Sequence, residues 1–149
     1  MNFFPPKQKK MSKNKQYSMY GKKEVNMVRA FAIIFGLSFF LIGISGFIPQ
    51  FTPNEHLLGL FYVNAFHNIV HLASGIIFFC VGMKSAYASK IFFRIFGVIY
   101  LLVAILGFFY RDQVILGLMS NNMADTWLHL VLSIVMLYLG FRSETRARL

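Results

Sequence analysis

The sequence predicts an all-α, polytopic membrane protein with four transmembrane helices, and three observations support this fold class. Hydrophobic residues make up 57% of the chain and charged residues only 13%, whereas soluble domains carry about 25% charged residues. The apolar residues fall in four separate blocks of 18–21 residues, close to the roughly 20 residues that a helix needs to cross the hydrocarbon layer. The basic residues collect on one side of these blocks, as expected for a membrane protein.

The four apolar blocks define the predicted elements in chain order. Backbone groups cannot stay unpaired in lipid, so each block should form a helix. The predicted helices cover Val28–Ile48, Phe61–Val81, Ile91–Tyr110 and Ala124–Phe141. The transmembrane domain is therefore expected over residues 28–141, preceded by a basic, disordered cytoplasmic leader (1–27) and followed by a basic cytoplasmic tail (142–149).

The net charge of +10 is interpreted as a sign of membrane topology and not of nucleic-acid binding. Seven lysines and no acidic residue lie in Met1–Lys23, and the C-terminal tail adds three arginines. The loop at 49–60 contains no lysine or arginine. Because positive residues concentrate on the cytoplasmic side, we expect a multi-pass protein of the bacterial inner membrane with both termini in the cytoplasm. The loops at 49–60 and 111–121 then face outward.

An internal repeat relates the first two predicted helices to the last two. The segment FGLSFFLIGISGF (35–47) recurs as FGVIYLLVAILGF (96–108), with six identities at a shift of 61. Parallel repeats in membranes are related by an axis along the bilayer normal, so two parallel-repeat hairpins should form a pseudo-two-fold bundle. At a shift of 58, the polar residues of the second and fourth helices match in the pairs Asn64 and Asn122, His67 and Asp125, Asn68 and Thr126, and His71 and His129.

The second and fourth helices each carry these polar residues on one face of an otherwise apolar run. At 100° per residue, the polar positions of the second helix fall within an arc of about 100°. Polar and small side chains line the contacts between membrane helices, so both stripes should face the bundle interior, in the outer half of the membrane. The candidate site is this polar cluster, which comprises Asn64, His67, Asn68, His71, Asn122, Asp125 and His129.

Three interpretations of the polar cluster are open, and a structural hydrogen-bond network is the preferred one. In that network Asp125 pairs with a histidine of the second helix, and the asparagines bridge backbone groups. The first alternative is a redox-type site for a transition metal, with His67, His71, Asp125 and His129 as ligands, or for a haem held between His71 and His129. The second is an outward-facing site for protons or small solutes, because imidazole titrates near neutral pH.

The sequence excludes several function classes and leaves others undecided. It contains no Gly-rich phosphate loop, no nucleophile elbow and no CxxC pair, so nothing indicates soluble enzyme chemistry. It does not decide whether the protein is an enzyme, and it identifies no cofactor beyond the metal or haem alternative. The lipid bilayer is the expected partner, nucleic acid is not expected, and a homodimer is left open.

Three segments of the chain resemble a family of bacterial membrane proteins. FGLSFFLIGISGFIP looks like the first helix of the domain-of-unknown-function family 4383, while GLFYVNAFHNIVHLASG and NNMADTWLHLVLSIVMLYLG resemble its two hallmark stretches. The likeness covers about Val28–Phe141. It implies a four-helix integral membrane protein and brings no assigned activity.

Overall fold

Four long helices make up most of the computed structural model, which describes residues 12–142. Each contains a stretch that is long and apolar enough to cross a membrane, so the predicted all-α membrane fold with four spanning helices is confirmed. α1 packs along α2 and α3 packs along α4, which gives two helical hairpins. The helices are α1 (Lys13–Ser45), α2 (Ala65–Lys84), α3 (Ala86–Tyr110) and α4 (Met123–Phe141).

The start of α1 differs from the prediction. The helix begins at Lys13 and not at Val28, so the leader expected to be disordered is helical from residue 13 onward. The Ser12 hydroxyl accepts a hydrogen bond from the Lys15 amide at 3.4 Å and caps the helix. Lysine, glutamine and methionine favour helices, and no proline interrupts the segment. Residues 1–11 and 143–149, with most of the predicted tail, lie outside the described residues.

The two loops that join α1 to α2 and α3 to α4 lie at the same end of the bundle, which we call the loop end. The first contains two short 3₁₀ turns, Pro49–Phe51 and Pro53–Glu55, and a small antiparallel hairpin of β1 (His56–Leu57) and β2 (Phe61–Tyr62). Because Phe61 and Tyr62 belong to a strand, α2 begins at Ala65, later than the prediction of Phe61.

The same backbone turn occurs in both loops, at the Leu-Gly-Leu triplets that the repeat aligns. Leu58 and Gly59 have φ values of 54° and 72°, and Leu116 and Gly117 have 53° and 70°. Positive φ at both central residues is the pattern of a type I′ turn, and three residues separate the paired positions Leu57 and Phe61. In the second loop the turn is flanked by a single antiparallel bridge between Ile115 and Met119.

The opposite end of the bundle carries arginines that satisfy helix carbonyl groups. Arg29 donates from Nε to the carbonyl of Gly82 at 3.0 Å, and Arg94 donates from Nε to the carbonyl of Gly140 at 2.7 Å. The last carbonyls of a helix have no partner within that helix, so these bonds close the ends of α2 and α4. Ser85 alone joins α2 to α3 and caps α3 by accepting from the Ala88 amide.

The core between the hairpins is aromatic. Phe78 and Phe93 are fully buried, with ring centroids 5.1 Å apart. Phe39 of α1 stacks on Tyr100 of α3, with centroids 5.6 Å apart and the rings inclined by 22°. Phe39 and Tyr100 occupy equivalent positions at the shift of 61, and both contact histidines of the candidate site. The pseudo-two-fold arrangement of the two hairpins stays a prediction, and the matching contacts of Phe39 and Tyr100 support it.

We predict that adding a methyl group at Gly36 separates α1 from α2 and destabilises the protein. A Cβ there would lie 2.5 Å from the backbone nitrogen of Phe79, where only backbone movement relieves the overlap. Overpacking of this kind costs about 1–3 kcal/mol. Gly36→Ala should lower the thermal unfolding midpoint in detergent. Gly21→Ala is the control, because no atom lies within 4 Å of the added Cβ; equal midpoints for both variants would contradict the close approach.

Candidate functional site

The site begins with two asparagines that cap the helices at the loop end. Asn64 Oδ1 accepts from the His67 amide at 2.9 Å, and Asn122 Oδ1 accepts from the Asp125 amide at 2.9 Å. Asparagine is favoured at this position because its short side chain reaches the unpaired amides of the first turn. The two caps fix where α2 and α4 begin.

The same asparagines join the two hairpins to each other. Asn64 Nδ2 donates to the carbonyl of Leu118 at 2.9 Å, and Asn122 Nδ2 donates to the carbonyl of Leu60 at 2.7 Å. Leu60 and Leu118 follow the glycines of the two type I′ turns. Each asparagine therefore caps its own helix with its oxygen and holds the turn of the other loop with its nitrogen.

Asp125 and His67, which the repeat aligns, each bind the backbone of the opposite loop. Asp125 Oδ2 accepts from the amides of Asn122 and Tyr62, both at 3.0 Å. His67 Nδ1 lies 3.0 Å from the carbonyl oxygen of Ser120, which can only accept, so this nitrogen carries the proton. Within residues 12–142 Asp125 makes no hydrogen bond to a histidine, so its expected pairing with a histidine of α2 is wrong. The carboxylate oxygen instead accepts hydrogen bonds from the backbone amides of Asn122 and of Tyr62 in β2.

The three histidines of the polar stripes converge below these caps. His67, His71 and His129 are all buried, and one ligand nitrogen from each lies within 4.8 Å of the others. The Nε2 atoms of His67 and His71 are 3.0 Å apart. The His67 ring stacks on His71, with centroids 4.8 Å apart, and on His129, with centroids 5.9 Å apart.

His71 and His129 lie at the same depth because each follows its helix cap by seven residues. At 1.5 Å per residue, both are about 10 Å below the start of the helix. Phe39 packs against His71 at 5.5 Å between centroids, and Tyr100 packs against His129 at 5.1 Å. The stacked rings of Phe39 and Tyr100 thus cover the histidine cluster on its side away from the loop end.

Two nitrogens in this cluster have no hydrogen-bond partner among residues 12–142. They are Nδ1 of His71 and Nδ1 of His129, and both are buried. Buried polar atoms are nearly always paired, and an exception indicates an absent ion or water, or a special role. The protein groups within the described chain therefore do not complete the hydrogen bonding of the cluster.

A partly enclosed cavity of about 140 Å³ borders the three histidines. Asp125 lines it, although the carboxylate is not part of the group of three converging ligands. The first loop contributes Leu57, Leu58, Phe61 and Val63 to the wall. The cavity is otherwise apolar and has room for a few water molecules or one small ligand.

The remaining two polar positions pack closely against glycines. Asn68 is buried where a Cβ on Gly46 would overlap its side chain, and Thr126 is buried against Gly107 in the same way. Asn121, which was not predicted, is fully buried and donates to the carbonyl of Arg111 at 2.7 Å and to Thr126 Oγ1 at 3.1 Å. In the sequence, this role was indicated by the position of Asn121 directly before the capping Asn122.

Other contributors to the site were also missed by the sequence. Ser120 and Tyr62 act through backbone atoms, for which side-chain patterns give no signal. Phe39 and Tyr100 could have been found, because the shift of 61 aligns them and a tyrosine is unusual in the middle of an apolar helix. The cavity walls in β1 and β2 depend on a hairpin that an apolar run does not predict.

The chain belongs to the family described as Domain of unknown function (DUF4383), whose model matches residues 29–142. This confirms the resemblance carried by the three segments of the sequence. No curated protein and no solved structure matches this chain. The family membership agrees with the four apolar helices and assigns no activity.

We predict that Asn64→Asp weakens the joint between the hairpins while keeping the helix cap. Aspartate caps as well as asparagine but has no amide to donate to Leu118, so the loss should be about 0.5–1.5 kcal/mol of unfolding free energy. Asn64→Ala should lose about 1 kcal/mol more, because the cap also disappears. Unfolding in detergent measures both variants, and an Asn64→Asp protein as stable as the wild type would contradict the role of the cross-loop bond.

Proposed function

We propose that this membrane protein binds one transition-metal ion through His67, His71 and His129. The observation that carries the proposal is that one nitrogen from each of three buried imidazoles lies within 4.8 Å of the others, while two nitrogens of these rings lack a hydrogen-bond partner among residues 12–142. Imidazole nitrogen suits zinc, copper and iron among the metals common in proteins. Three nitrogens bound to an ion at 2.0–2.1 Å lie roughly 3.5 Å apart, so ring movements of about 1 Å complete the site.

His67 is already oriented as a ligand. Its Nδ1 proton is donated to the carbonyl of Ser120 at 3.0 Å, which leaves the lone pair on Nε2, 3.0 Å from Nε2 of His71. A metal-bound histidine usually donates its other ring N–H to a backbone carbonyl or carboxylate, which fixes the ring and raises its basicity. The tie to Ser120 supports a ligand role because it would hold the ring in place before an ion arrives.

The asparagines and Asp125 receive a different role in this proposal. Their hydrogen bonds go to backbone groups of the helix starts and the opposite loop, which supports a structural network around the site. The preferred interpretation from the sequence is thus kept for the outer layer of the polar cluster. It does not extend to His71 and His129, because Nδ1 of each has no hydrogen-bond partner among residues 12–142, which costs about 1–3 kcal/mol each unless an ion or water fills the place.

The haem alternative receives no support from the geometry. A cavity of about 140 Å³ is too small for the macrocycle. His67 also stacks on both histidines that would serve as axial ligands. A site for a small solute is the second candidate function, because the same cavity reaches from the histidines to the first loop. The metal experiment below separates the two, since a solute site requires no bound ion.

We predict that the purified protein binds one equivalent of Co²⁺ or Zn²⁺ and that His71→Phe abolishes this binding. Phenylalanine keeps the ring volume beside Phe39 and removes both nitrogens. Metal analysis after dialysis and the visible absorption of the Co²⁺ form measure the stoichiometry. At an ion concentration of 100 times Kd, binding should raise the unfolding free energy of the wild type by about 2.7 kcal/mol, and that increase should vanish in the variant.

His56→Ala is the matched control for this experiment. His56 lies in the first loop outside the cluster, with Nδ1 2.6 Å from the carbonyl of Asn54. It should keep full metal binding. If neither Co²⁺ nor Zn²⁺ binds the wild type and His71→Phe only lowers stability, the structural interpretation of the whole cluster is correct and the metal proposal fails.

The orientation in the membrane is part of the same proposal. The loop end carries few basic residues, while Arg29, Lys84, Lys90 and Arg94 gather at the other end of the bundle. This distribution supports a bacterial inner-membrane location with the loop end outside and both termini in the cytoplasm. The metal site would then be reached from the outer face.

We predict that Leu58→Cys is labelled from outside intact cells and Tyr87→Cys is not. Leu58 and Tyr87 are 72% and 75% exposed at opposite ends of the protein. Both variants are made in a Cys80→Ala background, which removes the one native cysteine. A membrane-impermeant maleimide should react with Leu58→Cys alone until the cells are permeabilised. The reverse labelling would invert the proposed topology.

A further inference from the structure

The three histidines leave the fourth coordination position of the proposed metal site without a protein ligand. Four ligands are usual for zinc, and a site with three protein ligands keeps one position for water or another small molecule. The cluster within residues 12–142 supplies three ligands and no more. The fourth position must therefore be filled from the space around the histidines.

That space is the cavity of about 140 Å³, which lies against all three imidazoles and Asp125. Asp125 uses Oδ2 for the amides of Asn122 and Tyr62. Its Oδ1 makes no hydrogen bond to the protein groups of residues 12–142. One carboxylate oxygen at the cavity wall is thus available to a water molecule or ligand inside the cavity.

The internal repeat shows why a fourth ligand is missing on this side. His67 and Asp125 are equivalent, and each binds the loop backbone at position 62 or 120. An imidazole at position 125, arranged as His67 is, would lie beside His129 as His67 lies beside His71. The carboxylate of Asp125 is shorter than an imidazole, and Asp125 lines the cavity beside His129.

We infer that an ion held by the three histidines keeps an exchangeable water at its fourth position, hydrogen-bonded to Asp125, and that small anions or neutral molecules of a few atoms displace this water. The inference rests on the proposed metal site and adds the class of ligand that the site accepts. Leu57, Phe61 and Leu132 line the cavity, so its apolar wall excludes large or strongly hydrated ligands. Exchange is a simple substitution, in which the water leaves and the incoming donor atom takes its place.

The test uses the full-length protein loaded with Co²⁺ and titrated with sodium azide. In the wild type, azide should change the visible absorption of the ion with saturable, one-site behaviour. Asp125→Asn should bind azide about tenfold more tightly, because a negative charge beside the anion is removed. Asp125→His should bind Co²⁺ through a fourth imidazole and lose the azide response.

Asp112→Asn is the matched control, because Asp112 also accepts from a backbone amide at the start of α4, that of Met123 at 3.2 Å, and does not line the cavity. It should respond to azide as the wild type does. Co²⁺ binding without any azide effect in the wild type and Asp125→Asn would overturn the exchangeable position and leave the metal site standing. A protein that binds no Co²⁺ would overturn the metal site itself. If Asp125→His does not fold, the tighter azide binding expected for Asp125→Asn still tests the inference.

Discussion

The arrangement of this protein depends on how two helices begin inside or near a membrane. The first amides of a helix have no partner within it, and leaving them unpaired in an apolar environment is costly. Asn64 and Asn122 satisfy these amides with their oxygens and use their nitrogens to hold the opposite loop. Each asparagine thus caps the start of its own helix and also bonds to the loop of the neighbouring hairpin.

The histidine cluster follows from that constraint. The cap fixes the first turn of α2, so His67 and His71 are directed to the interior one turn apart. The equivalent cap of α4 brings His129 to the level of His71, and the stacked rings of Phe39 and Tyr100 support both from below. The proposed ion site would need little rearrangement of the backbone, because the outer layer of hydrogen bonds already positions the three histidines.

The sequence predicted the parts of this structure that depend on side-chain character along a helix. The four spanning helices and the buried faces of α2 and α4 follow from apolar runs and from polar residues at helical spacing. The start of α2 could not be found in that way, since Phe61 and Tyr62 are as apolar as a helix interior and yet form a strand. The partner of Asp125 was also beyond reach, because it is an amide of the backbone, and every residue except proline has one. The helical extension of α1 to Lys13 was missed because a high charge was taken as a sign of disorder, although lysine is a good helix former.

Positions 67 and 125, which the sequence repeat aligns, carry different side chains and make different hydrogen bonds. Both side chains bind the backbone of the other loop, but the imidazole donates to a carbonyl and the carboxylate accepts from an amide. The two loops must therefore present different peptide groups at equivalent places, although their type I′ turns and capping asparagines match. The carboxylate of Asp125 is shorter than an imidazole and lines a cavity that the first loop also borders, so the two equivalent positions contribute differently to the surroundings of the histidines.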